Sequence, residues 1–321
     1  MKKYLFILFF LSPLCNALDL VTAYSDNIYH TQNLRAMAKA LKSDDVEITL
    51  HPAASLYKAN EIYRAVRTGQ VAMGEIFIGL LANQDPLYQL DNLPFLVENF
   101  EQAQQLWQLS RPLLAQKLIE DGLILLFAAP WPPQGLFSQK TINSIEDLKN
   151  SKMRAYSAIT ADLASLLGAN PVSIQAAEIA QAFSTGMIDN MFTSPSTGVS
   201  SRAWDFAQHY TDTQAWIPKN MLVINKAIFN DLSPAAKQSI LLQAKEFERK
   251  AWLLAEQETA IKTAILVKNG MVVSKPTPRL ETQLNQIGHS MLDDWLEISP
   301  QSSHDMIKHF LHKKTAMQSH D

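Results

Sequence analysis

The 321-residue chain contains one cysteine, Cys15, and it lies inside an apolar N-terminal run. Beyond it there is no disulfide to form, no thiolate nucleophile and no Cys-based metal site. Long hydrophobic runs are also scarce. After residue 14 nothing approaches the ~18 uninterrupted apolar residues that cross a bilayer. Positive charge is thin, with 28 lysines and arginines against 31 acids. No basic cluster exists to track a phosphate backbone, which argues against nucleic acid as a partner. The Gly-x-Ser-x-Gly elbow, the Gly-rich phosphate loop and the His-Glu-x-x-His pair are all missing. His304, His309 and His312 are the nearest approach to a metal set, but only His309 and His312 share a helix face. They read as a solvated tail, so neither metal nor cofactor is expected.

What is present begins with Lys2 and Lys3, an apolar stretch Tyr4–Leu14, and small residues around Ala17. About 11 apolar residues behind a basic start, followed by a small-residue cut site, is the layout of a secretory signal over residues 1–17. A lipid anchor on Cys15 is the rival reading, opposed by bulky Leu14 where a small residue is wanted. The mature protein is then exported. Roughly 300 residues without cystines are enough to rely on a hydrophobic core.

The pattern Glu-Ile-x-x-Ala-x-x-Thr-Gly occurs twice, at Glu61–Gly69 and Glu178–Gly186. Each copy reads as a short amphipathic helix with a Gly stop, followed by an apolar stretch, residues 71–78 and 187–192. Two similar helix–Gly–strand units far apart imply two similar lobes and a cleft between them. Around the first copy, strands at 18–24, 46–51 and 71–79 and a helix at 31–42 give βαβαβ, the grammar of a mostly parallel sheet. Asn60 is read as the cap of the first repeated helix. Residues 100–120 read as a helix or helical pair broken near Pro112, and 122–129 as a buried strand. A second series follows: strand 152–156, helix 160–167, strand 171–174, helix 176–183. Trp216–Asn225 returns the chain to the first lobe. Ser233-Pro234 opens a helix to about Lys268, long enough at 1.5 Å per residue to span both lobes. A strand at 271–274 and helix over 280–311 complete the chain. The expected division is lobe I at 18–129 plus about 217–250, lobe II at 130–216 plus about 251–311, and a mobile polar tail at 312–321.

Arg154 is the leading candidate for chemistry. It sits in a strand where the second βαβ series opens, and ligands gather at strand ends in open α/β sheets. Its guanidinium fork matches a carboxylate in two parallel hydrogen bonds. Trp131 opens Trp-Pro-Pro-Gln-Gly, whose prolines hold the indole as an apolar wall, with Gln134 as a polar contact. Tyr156 and Trp216 have weaker versions of that case. Thr193 and Ser194 follow the second repeated unit as Glu75 follows the first. Their hydroxyls and the Glu75 carboxylate are candidate ligand contacts, with capping and turn chemistry as the alternative.

Together these stretches make the chain similar to the periplasmic solute-binding subunits of TRAP transporters. The resemblance rests on Glu61–Gly74, Asp91–Phe95 (DNLPF), Asp147–Arg154 (DLKNSKMR), Leu167–Asp189 and Leu222–Asn225 ahead of Leu232-Ser233, in the expected order. It implies an α/β, two-lobed periplasmic binding protein with a cleft and a long connecting helix. Such a protein closes on a small organic acid and hands it to membrane permease subunits. The family's ligand-clamping arginine falls on Arg154. The chain departs from the commoner pattern at Phe192-Thr193-Ser194-Pro195, and at Ser138-Gln139-Lys140, where some members carry a second arginine. These departures disfavour sugar acids and dicarboxylates and point to a monocarboxylate with an apolar or aromatic body, bound without metal by a monomer. Two alternatives stay open: presentation of the ligand to a sensory receptor, and a periplasmic enzyme on the same fold.

Overall fold

The computed structural model of the chain describes residues 17–318. The expected signal segment, Ala17 apart, lies outside the described residues. Two sheets organise the protein. The first takes β1 (Leu18–Val21), β2 (Ile48–His51), β3 (Met73–Phe77), β4 (Leu123–Pro130) and β10 (Lys219–Asn225), in the order β2-β1-β3-β10-β4. β1 is parallel to β2 and β3, whereas β10 runs antiparallel to both its neighbours. The second takes β5 (Gly135–Ser138), β6 (Lys152–Ala155), β7 (Asn170–Ser173), β8 (Asn190–Thr193), β9 (His209–Thr211) and β11 (Val272–Ser274). Its order is β11-β9-β5-β8-β6-β7, with β6 parallel to β7 and β8, and β5 antiparallel to β8 and β9. The two sheets therefore repeat one plan: three parallel strands, then one antiparallel strand, β10 in the first and β5 in the second.

The repeated motif builds the same piece of each lobe. In lobe I it forms α2 (Ala59–Arg67) between β2 and β3; in lobe II it forms α5 (Ile179–Ser184), after a 3-10 turn, between β7 and β8. Each repeated position of the pattern has a physical task. Glu61 and Glu178 bend back to accept from the backbone N–H of Lys58 (2.9 Å) and Gln175 (2.8 Å), satisfying an orphan donor at the helix start. Ile62, Ala65, Ile179 and Ala182 face the core. Thr68 and Thr185 hydroxyls donate to the carbonyls four residues earlier, and Gly69 (φ 73°) and Gly186 (φ 67°) take the left-handed stop. Asn60, expected as the cap, lies inside the first turn, because the helix starts two residues earlier than read; the cap position is Lys58, whose backbone N–H is satisfied by Glu61.

α1 (Tyr29–Lys42) and α8 (Pro234–Lys268) cover one face of the first sheet, where Leu34, Met37, Leu41, Phe247 and Ala251 meet Leu20, Met73 and Leu222. α4 (Ala158–Leu166) lies between β6 and β7, and α7 (Lys226–Asp231) leads from β10 to α8. α8 opens on Ser233, whose hydroxyl accepts from Ala236 N–H at 3.1 Å, with Pro234 at the first position. Its 35 residues run from lobe I to lobe II, where it packs on α6 (Pro195–Ser200). α3 (Phe100–Glu120) is one continuous helix, not a pair broken at Pro112. The hydrogen bond that Pro112 removes would reach the Gln108 carbonyl, and both residues lie on the exposed face, where water replaces it.

α9 (Pro278–Ile298) and α10 (Gln301–Gln318) depart from the expected division of the chain. That division places about 251–311 in lobe II, and β11 does join its sheet. α9 begins there, with Gln283 accepting from Ile145 N–H (3.1 Å), but ends on lobe I, with the Trp295 indole donating to Pro86 O (2.7 Å). α10 packs on α3 through Met306, Ile307 and Phe310. The polar tail expected from His312 continues this helix to Gln318, and Lys314 pairs with Glu98 at 2.8 Å.

Candidate ligand-binding site

Two strands of chain cross between the lobes side by side, residues 130–135 leading out and 213–218 leading back. Trp131 N–H donates to Pro218 O (2.8 Å), Gln134 N–H to Trp216 O (2.9 Å), and Ala215 N–H to Gln134 O (2.8 Å). This paired crossover floors a cleft of about 520 Å³. Lobe I contributes Tyr24 after β1, Phe77 and Leu80 after β3, and Lys58–Asn60 at the start of α2. Lobe II contributes Arg154 and Tyr156 from the end of β6, Thr193 and Ser194 from the end of β8, and Gln175–Glu178 at the start of the second repeated helix. The ends of the parallel strands and the starts of both repeated helices thus converge, as the switch-point argument requires.

Arg154 is 5% exposed. Its Nε donates to Ile174 O at 2.9 Å, and its guanidinium lies 4.8 Å from the centre of the Tyr156 ring. Among the described residues no carboxylate is ion-paired with it. Burial pulls the group down to about 10, partly offset by nearby Tyr156, Tyr24 and Glu178, which leaves it cationic at neutral pH. A buried, fixed cation without a protein counter-ion, facing a cavity, is an anion site waiting for an anion. Burial also pushes the Tyr156 phenol up to about 12, against the opposing pull of Arg154 and the Trp216 indole.

Six of the eight residues singled out from sequence line this cavity: Arg154, Trp131, Gln134, Tyr156, Thr193 and Ser194. Ser194 is also the cap of α6, accepting from Thr197 N–H at 3.1 Å, so part of its hydrogen-bonding capacity is structural. The other two do not reach the cavity. Trp216 is fully buried behind it, 5.5 Å from Phe192, because the returning strand turns its side chain into the core. Glu75 points to the inner face of β3, where its carboxylate accepts from Thr22 (2.5 Å) and Asn220 (2.9 Å) and lies 3.0 Å from His30. Burial alone would raise this carboxyl, but His30, Asn220 and Thr22 outweigh it and hold it below 4.5. Sequence reasoning missed Tyr24, Phe77, Leu80 and the two helix starts. The last were signalled by the repeat itself, since the residues just before each motif enter the cleft.

With that geometry in view, the sequence model of bacterial extracellular solute-binding protein family 7 matches residues 21–297. The chain belongs to this family. Its match to DctP6, a Bordetella pertussis extracytoplasmic solute receptor binding pyroglutamic acid, has a TM-score of 0.90 at 40% identity, covering 92% of this chain and 99% of that one. A marine metagenome TRAP solute-binding protein specific for pyroglutamate matches at 33% identity and a TM-score of 0.90, over 92% and 98% of the two chains. A solute-binding protein of Albidiferax ferrireducens is 26% identical over 249 residues, 75% of this chain and 73% of that protein. The family 7 chain is thus a TRAP-type solute-binding protein with two lobes.

Proposed function

We propose that the protein captures a small cyclic monocarboxylate of the pyroglutamate type in the periplasm and delivers it to an ion-driven membrane permease. Arg154 grips the carboxylate with its terminal nitrogens, while Ile174 O holds Nε and sets the plane of the fork. Trp131, Tyr24, Phe77 and Leu80 wall the ring, and Thr193 and Gln134 offer polar contacts to the ring amide. The single observation that carries this reading is the buried guanidinium, which is ion-paired with no carboxylate among the described residues.

The charge count in the cleft favours one acid group over two. Arg154 is the buried cation, Lys58 lines the space but is solvent-exposed, and Glu178 lines it too, so a second ligand carboxylate would meet Glu178 and no buried partner. Two relatives that cover nearly the whole chain bind pyroglutamate or pyroglutamic acid, which supports the same ligand class. Closure of the lobes removes water from the ion pair and strengthens it, and the ligand favours closure through its higher affinity for that state.

A melting screen of carboxylic acids tests the proposal. Pyroglutamate at 100 times its dissociation constant adds about 2.7 kcal/mol of stability, a shift of several degrees. Proline, which lacks the ring carbonyl, and glutarate, which carries two acids, give smaller shifts. A larger shift with a dicarboxylate or a sugar acid would overturn the assignment.

A further inference from the structure

Behind the cleft wall lies a buried polar relay whose inner members, Glu75 and Asn220, do not line the cavity. Glu75, 4% exposed, accepts from the Asn220 side-chain amide at 2.9 Å. Asn220 Oδ1 in turn accepts from the Trp131 indole N–H at 2.9 Å and from the Tyr24 hydroxyl at 3.5 Å. Trp131 and Tyr24 both line the cleft, with ring centroids 5.1 Å apart; Glu75 and Asn220 do not line it. We propose that Glu75 is a positioning residue for ligand capture, orienting the Asn220 amide so that Trp131 and Tyr24 are held as a preformed aromatic wall. The proposal rests on the reading of this cleft as the ligand site.

The argument is one of hydrogen-bond polarity. An ionised carboxylate only accepts, so Asn220 must turn its NH2 toward Glu75 and its oxygen toward Trp131. The indole only donates, so it needs that oxygen. If the carboxylate were replaced by an amide, both orientations of Asn220 would become acceptable to residue 75. In the flipped one, an NH2 would face the indole N–H and the tether would be lost. Thr22 and His30 complete the lock from the other side, keeping the Glu75 carboxylate ionised and in place. The relay joins three strands of the first sheet, β1 through Thr22, β3 through Glu75 and β10 through Asn220 to the crossover residue Trp131. A rigid wall lowers the ordering cost of binding, which is how a group without ligand contact alters affinity.

The test uses Glu75→Gln, which keeps the shape and changes only the polarity. Trp131 is one of six tryptophans, so its indole resonance in a nitrogen–proton correlation spectrum is identified by its loss in Trp131→Phe. In the ligand-free protein, Glu75→Gln shifts or broadens that resonance and leaves the other indoles in place. Because this arm uses no ligand, it stands even if pyroglutamate fails to bind. With pyroglutamate as probe, Glu75→Gln weakens binding about five-fold, as expected for one lost hydrogen bond. In the Trp131→Phe background the effect falls well below five-fold, because only the long Tyr24 contact is left for the relay to orient. Asn220→Ala serves as a second variant, with the same loss of the Trp131 signal. An unmoved Trp131 resonance in both variants, or a five-fold effect that persists in Trp131→Phe, would overturn the proposal.

Discussion

The buried ion pair between Asp91 and Lys219 supports a sharp prediction about what holds the crossover to lobe I. Lys219 is 1% exposed and Asp91 8%, and their charged atoms are 2.6 Å apart. The ammonium sits between two indoles, 5.8 Å from the Trp107 ring and 6.0 Å from Trp252, with no room for water to replace a lost partner. Lys219 begins β10 just where the chain re-enters the first lobe, and Asp91 opens the DNLPF turn. Lys219→Met leaves a carboxylate buried and alone, a change that costs about 3–5 kcal/mol. That corresponds to a melting temperature lower by on the order of 5–10 °C. The loss has a defined pH sign. Burial raises the Asp91 carboxyl above its ordinary 3.8, with Lys219 opposing; without the lysine it rises further. A raised folded value means the neutral acid is favoured on folding, so stability is greatest below the unfolded value and falls as pH rises through the folded one. The variant is therefore less damaged at pH 5 than at pH 8. Asp91→Leu combined with Lys219→Met returns most of the stability, because neither charge is then stranded. Urea titrations at the two pH values provide the assay. A single variant costing under ~1 kcal/mol, or a double variant as unstable as the single, would refute the reasoning.

Other perturbations give separate readings. Gly69→Ala and Gly186→Ala each force a methyl into a left-handed residue and cost about 1 kcal/mol in urea titration, additively, since they lie in different lobes. Pro112→Ala restores a hydrogen bond in the middle of α3 and stabilises the protein by about 1–3 kcal/mol; no gain would mean the proline is needed for packing. Glu75 is held below its ordinary 4.5, so its contribution is present above that value and is lost as pH falls through the folded one. Glu75→Gln accordingly lowers the melting temperature at pH 7 and loses less on acidification from pH 6 to pH 3 than the parent chain does.

Much of this architecture is legible in the residues. The 35-residue α8 is announced by Ser233-Pro234 at one end and Asn269-Gly270 at the other, because cap chemistry is local. The repeat is legible for the same reason: Glu, Thr and Gly each answer a backbone demand of one short helix. β5, β9 and α6 span only four, three and six residues, too short to show a period; the equally short β11 and α5 are read from their surroundings, the Asn269-Gly270 stop and the repeat. The end of α10 from His312 is read as a tail because it is held by the Lys314–Glu98 pair rather than by apolar burial. At the site, Arg154 and Trp131 stand out through their positions beside strand ends and prolines. Glu75 and Trp216 are drawn toward the cleft by sequence proximity, but which face of the strand each side chain takes is settled by packing. Asp91 and Lys219, 128 positions apart in the numbering, carry no local sign of their pairing.

The most direct test of the account is calorimetric titration of pyroglutamate into the parent chain and into Arg154→Met, with thermal melts of both ligand-free proteins. Removing a buried cation that has no protein counter-ion leaves the ligand-free melt unchanged or higher, while losing the carboxylate's partner weakens binding by at least ~100-fold. Binding within about three-fold of the parent would contradict the clamp, and so would a ligand-free protein that unfolds with the substitution.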